Sequence, residues 1–129
     1  MSSKKKVLII TDGSEKIEMI AQSVKDTLTD TVVVCPADRF EGTDLLPVDI
    51  FILGCSKSNP ASFAYLEEML AHINLAGRRC GIFSTDKKAL KYLSDITKDC
   101  EAGMGEPFLA ADSEIDTKAV RGWLKSVLG

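Results

Sequence analysis

Three short polar stretches carry the side chains best equipped for chemistry in this sequence. Thr11, Asp12, Gly13 and Ser14 separate an apolar run from a helical pattern. There two hydroxyls, a flexible glycine and the first amides of a helix converge on a place where an anion can be held. Ser56, Lys57, Ser58 and Asn59 follow a second apolar run and offer hydroxyls, an amide and one ammonium. Thr85, Asp86 and Lys87 follow a third run, with capping residues ahead of another helix. Asp12 opposes a simple anion site. With Glu15 three residues on, it is expected to form a capping pair that takes the amides an anion would need. Two acids within a few Å of a phosphate would also oppose it by roughly 1 kcal/mol or more each.

The other reactive residue types read as structural. Cys55 ends an apolar run at the same rim, but no histidine or strong base is near it in sequence, so a buried thiol is expected. His72, the only histidine, falls on a helix flank away from the polar stretches. Lys87, Lys88 and Lys91 open a helix, where the macrodipole disfavours cations by a few tenths of a kcal/mol each. They either compensate an anionic ligand or partner or form a solvated face, the simpler reading. No phosphate-binding P-loop, nucleophile elbow, G-x-G-x-x-G or spaced acid–base pair is present, so no catalytic residue is assigned.

The elements that must position these stretches follow from periodicity. Val7 to Ile10 is an unbroken apolar run, as expected of a strand covered on both faces. Ile17, Ile20, Ala21, Val24 and Leu28 then line one face of a helix. Further strands are expected at Thr31 to Cys35, Val48 to Cys55, Arg79 to Ser84 and Pro107 to Ala111. Between the second and third strands the polar segment Ala37 to Pro47 has room for at most a short helix around Phe40 to Leu46. Later helices are expected from Pro60 or Ser62 to Asn74, from Thr85 and Asp86 to Lys98, and from Ile115 to Leu128. The last would bury Ile115, Ala119, Trp123 and Val127. Strands alternating with helices imply right-handed crossovers and an α/β fold: a three-layer, doubly wound, parallel five-stranded sheet in the order 2-1-3-4-5. In that order the ligand crevice lies at the carboxyl ends of strands one and three.

Composition sets outer limits. The 129 residues, 45% hydrophobic and 27% charged, suit a single domain over 1–129 with a core that needs no metal or disulfide. A net charge of −3 argues against a broad nucleic-acid surface. No run approaches a signal-peptide core or a membrane span. The four cysteines are widely separated with no C-x-x-C pair, which fits free thiols in a cytoplasmic protein.

The stretch KKVLII followed after a turn by EKIEMIAQSV, the strand PVDIFILGC and the stretch LEEMLAHINLAGRRCGIFS resemble the flavodoxin family in pattern and order. The resemblance implies the flavodoxin-like fold, FMN as cofactor and electron transfer to a redox partner. It would give Thr11, Gly13 and Ser14, in the turn that holds Asp12, to the phosphate. The flavin ring would fall to the loops Ser56, Lys57, Ser58, Asn59 and Thr85, Asp86, Lys87. Two residue patterns depart from the family. Its phosphate loop commonly reads T-x-T-G-x-T, longer than the turn here and without the carboxylate of Asp12. It also usually places a ring-stacking aromatic after the third or fourth strand, where Ser56 to Ser62 and Ser84 to Leu90 have none. Response-regulator receivers share the strand order but end the third strand in a phosphorylated Asp, where Gly54 and Cys55 stand here. The residues therefore favour a flavodoxin-like interaction or regulatory module without tightly bound FMN. The alternative is a small FMN-binding electron carrier with a shortened phosphate loop.

Overall fold

The computed structural model describes residues 5–28, 31–110 and 115–128. Strand β1 (Lys6–Thr11) runs into helix α1 (Glu15–Thr27), and β2 (Thr31–Pro36) follows. Two 3-10 turns, Ala37–Arg39 and Gly42–Leu45, stand in the segment where a loop with at most a short helix around Phe40 to Leu46 was expected. Strand β3 (Ile50–Gly54) leads through a 3-10 turn at Ala61–Phe63 into α2 (Ala64–His72). Strand β4 (Arg79–Ser84), helix α3 (Lys87–Thr97), the short strands β5 (Gly103–Met104) and β6 (Phe108–Leu109), and helix α4 (Thr117–Leu128) complete the order.

The sheet is parallel, in the order β2-β1-β3-β4-β5, with β6 also on β4. This is the expected 2-1-3-4-5 arrangement. The fifth position is divided, however: Arg79 and Cys80 of β4 pair with Gly103 and Met104, whereas Phe83 and Ser84 pair with Phe108 and Leu109. Between the halves the chain bulges, and α4 takes up the loosened backbone of Glu106. Trp123 Nε1 donates to its carbonyl at 2.8 Å, and its N–H donates to Ser126 Oγ at 3.1 Å. Of the expected last strand, Ala111 lies outside the described residues.

Side chains alternate between two cores because successive residues of a strand face opposite sides. Val7, Ile9, Ile50, Ile52 and Phe83 pack beneath α1 and α4, while Leu8, Ile10, Phe51, Leu53 and Ile82 pack beneath α2, α3 and the 3-10 turns. The inner face of α1 is the expected one, with Ile17, Ile20, Ala21 and Val24 buried. In α4 the face is rotated, and Val120, Trp123, Leu124 and Val127 are buried while Ala119 is half-buried. The helix begins at Thr117, so Ile115 precedes it and sets no helical phase. Trp123, wedged between Phe83 and Phe108 at centroid distances of 5.7 and 5.1 Å, fixes the rotation instead.

Gly54 ends β3 for a reason that spacing did not show. A Cβ there would lie 2.2 Å from Cζ of Phe83, the residue beside it on β4. The glycine makes room for a buried ring rather than supplying a special backbone angle.

Candidate functional site

The carboxyl ends of β1, β3 and β4 bring three loops to one edge, with the reversal of strand order between β1 and β3. Residues 12–14, 56–60 and 85–86 form these loops. They are the three polar stretches singled out by residue type. The sheet brings them together although they are far apart in sequence.

At the centre is the carboxylate of Asp12. Ser14 donates to its Oδ1 twice, from the backbone N–H at 3.0 Å and the hydroxyl at 2.7 Å. Ser56, on the neighbouring loop, donates to Oδ2 in the same way, at 2.7 Å from the N–H and 2.8 Å from the hydroxyl. One side chain thus bridges the β1–α1 and β3–α2 loops and takes both serine hydroxyls and both amides. Burial pushes the Asp12 pKa up, but hydrogen bonds from Ser56 and Ser14 outweigh it, and the carboxyl sits below its ordinary value. Asp12 is therefore an anion at neutral pH, held by the kind of donors that would hold a bound one.

The expected capping pair of Asp12 and Glu15 is corrected by this geometry. Ser14 is the N-cap residue of α1, without a side-chain cap bond, and Glu15 is already helical. Asp12 instead closes a turn over Ser14, two residues on. Gly13, exposed at the tip with φ +82°, supplies the left-handed backbone that lets the loop fold around the carboxylate. Thr11 is fully buried and its hydroxyl donates to Glu18 on α1, so it serves the strand–helix junction.

On the second loop Lys57, Ser58 and Asn59 are exposed, and Asn59 adopts φ 51° ahead of Pro60. On the third, Asp86 caps α3 by accepting from the Ala89 N–H at 3.0 Å, Thr85 is half-buried and Lys87 is exposed. Ser84 ties these two loops together, donating to the Cys55 carbonyl at 2.6 Å and accepting from the Asp86 N–H at 3.0 Å. Sequence reasoning missed this link, since a serine at a strand end carries no signal of its partner. The Cys55 thiol is fully buried, and its pKa is pushed up to about 12 by burial and then by the Asp12 charge. It is a protonated structural thiol, not a nucleophile. Lys91 pairs with Asp95 at 3.6 Å on the exposed face of α3, and His72 is exposed on α2.

The aromatic side chains have places elsewhere. Tyr65 packs on Phe40 at 5.9 Å and accepts from the Gly42 N–H at 3.0 Å. Tyr92 packs on Phe63 at 6.4 Å and donates to Glu67 at 3.0 Å. Phe51 is fully buried, and Phe83 and Phe108 flank Trp123. Among the described residues no cluster of three or more His, Cys, Asp or Glu is arranged to hold a metal ion, and no helix is long and apolar enough to cross a membrane.

A doubly wound sheet of this order, with its crevice at the β1/β3 switch, defines the flavodoxin-like fold. Solved structures agree. The chain superposes on a flavodoxin from Streptococcus pneumonia TIGR4 with a TM-score of 0.80 and 18% identity, covering 95% of this chain and 97% of that one. A short-chain flavodoxin associated with a non-canonical PDU bacterial microcompartment gives 0.81 at 14% identity, with 98% and 97% covered. The chemotaxis protein CheY4 of Vibrio cholerae matches less well, at 0.59 and 14% identity over 97% and 99%. No protein-family model matches the sequence, and no curated protein does. At these identities the likeness establishes the fold.

Proposed function

We propose that this chain is a single flavodoxin-like domain that works as an interaction or regulatory module and does not hold FMN tightly. The observation that carries the reading is the Asp12 bridge. The amides and hydroxyls of Ser14 and Ser56, the donors a phosphate would recruit at this turn, already serve a carboxylate of the same chain. A phosphate brought to the same place would meet that negative charge at close range. Neither flanking loop offers a ring to stack on a flavin, and the nearest tyrosines by sequence, Tyr65 and Tyr92, are engaged in packing α2. The residues present do not fit FMN. What the edge offers is a polar rim with exposed Lys57, Ser58, Asn59 and Lys87, suited to contact with a protein partner. A chemotaxis protein shares the fold, and the four unpaired thiols suit the cytoplasm.

The second reading, an FMN-binding electron carrier, draws its support from the closer likeness to flavodoxins. Visible absorption of the purified protein, followed by titration with FMN, separates the two. The module reading expects a colourless protein that leaves FMN fluorescence unchanged. Flavin bands near one equivalent, or saturable quenching at micromolar affinity or tighter, would establish the electron carrier instead.

A further inference from the structure

Between β2 and β3 the chain makes two 3-10 turns where the other crossovers carry full helices, and the sheet beneath them is left partly uncovered. Leu8 and Val33, paired in the β1–β2 register, lie with Cys35 on the face opposite α1. Leu8 is buried there, but Val33 is 55% exposed although it stands on a core-facing side. Above it is a groove of about 510 Å³, a size usual for small-molecule sites, with Pro47 and Val48 on the turn side. The turn side is pinned from behind. Arg78 donates from Nε to the Val48 carbonyl at 3.0 Å and from Nη2 to the Leu46 carbonyl at 3.2 Å. The Tyr65 hydroxyl accepts the Gly42 N–H at 3.0 Å. The groove is therefore preformed.

Its polar groups are unequally occupied. Asp44 turns back on its own segment, its carboxylate accepting the Glu41 N–H at 2.9 Å. Lys6, at the other end of the groove, has the Asp49 carboxylate beside it, which accepts the Lys6 N–H at 2.9 Å. Burial, then the Asp44 and Asp38 charges, push the Cys35 thiol up, so it lines the floor uncharged. Arg39 is different. It is exposed, it lines the groove just beyond the end of β2, and its guanidinium makes no hydrogen bond or ion pair among the described residues. Thr43, also exposed, adds a hydroxyl to the lining.

We propose that this groove binds a small apolar monocarboxylic acid, its carboxylate on Arg39 and Thr43 and its hydrocarbon body on Leu8, Val33 and Val48. Charge decides the head. A guanidinium presents paired N–H donors that match a carboxylate, and Arg39 has no carboxylate to match within the described chain. One free cation suits one negative charge, a second would meet Asp44, and a cationic head would meet Arg39 itself. The floor decides the body. Its side chains offer no polar partner, and an apolar group laid on Val33 takes that exposed valine out of water. A peptide strand is a poorer occupant, since Pro36 and Pro47 on the borders have no N–H to pair with it. The groove shares no residue with the Asp12 crevice, so the inference stands apart from whether that crevice takes a flavin.

Naphthoate titrated into the full chain at neutral pH, with amide shifts followed by NMR, tests it. Naphthylmethanol and naphthylmethylamine, which keep the body and make the head neutral or cationic, are titrated beside it. The expected result is saturable one-to-one binding of the acid, with shifts centred on Leu8, Val33, Cys35, Arg39 and Val48, at least about tenfold tighter than the amine. Arg39→Gln, at an exposed position, should weaken the acid about tenfold and leave the alcohol, the circular dichroism spectrum and the melting transition unchanged. Absence of saturable shifts up to millimolar acid overturns the proposal. So do equal affinities for the three heads, acid binding indifferent to Arg39→Gln, or shifts centred on residues 12–14 and 56–59 instead.

Discussion

Replacing Asp12 tests the centre of the site most directly. In Asp12→Ala four donors lose their acceptor: the N–H groups of Ser14 and Ser56 and the hydroxyls of both. Hydrogen bonds to a charged group contribute about 1.5–3 kcal/mol each when well buried. Asp12, Ser14 and Ser56 are all half-buried, and the hydroxyls can turn toward water. The discounted sum is a loss of about 2–4 kcal/mol, most of it from the two amides. Asp12→Asn keeps the shape but offers one acceptor oxygen, so either the Ser14 pair or the Ser56 pair faces an NH₂ group and the loss is about half as large. The acid limb gives the sign. The folded carboxyl lies below its ordinary 3.8, so its stabilisation is complete above that pH and is lost as the pH falls through the folded value. Urea unfolding of wild type and both variants at neutral pH, and stepwise toward the folded pKa, should show a stability gap that narrows with acid. A gap under about 0.5 kcal/mol that does not vary with pH would refute the bridge, since an exposed carboxylate behaves that way.

Two further outcomes follow from the packing around the same edge. Gly54→Ala sets a methyl against the buried Phe83 ring, which has little room to retreat, and should cost about 1–3 kcal/mol in chemical denaturation; a cost near zero would mean that the ring is not held there. In mildly alkaline buffer an aromatic disulfide reagent should modify half-buried Cys35 well before Cys55, whose pKa is near 12, and prior reaction of Cys55 would overturn its reading as an inert thiol.

Much of the scaffold was legible in the chain because burial leaves a local imprint. Four consecutive apolar residues at Val7 to Ile10 announce a strand covered on both faces, and Arg79 to Ser84 was bounded correctly by turn residues on either side. Alternation of such runs with periodic helices then restricts the strand order through crossover handedness alone. Legibility failed where local signals were weak or shared. The fifth strand divides because α4 accepts the bulged backbone of Glu106 through Trp123 and Ser126, a bargain between segments that no window of sequence contains. The phase of α4 slipped because Ile115 and Ala119 look apolar enough to set a face, while Trp123 between two phenylalanines sets it in fact.

The site divides along the same line. The amino-acid order determined which loops would reach the crevice, since each follows a strand and opens a helix, and it placed a carboxylate in the first of them. It did not determine what that carboxylate does. A capping pair with Glu15 was the local solution, three residues away, whereas the tertiary structure gives Asp12 to Ser14 and to Ser56, 44 residues on. The physical reason is range. Hydrophobic periodicity acts on every turn of the chain and is written into its spacing. The partner of one polar group depends on which loops the finished sheet sets side by side.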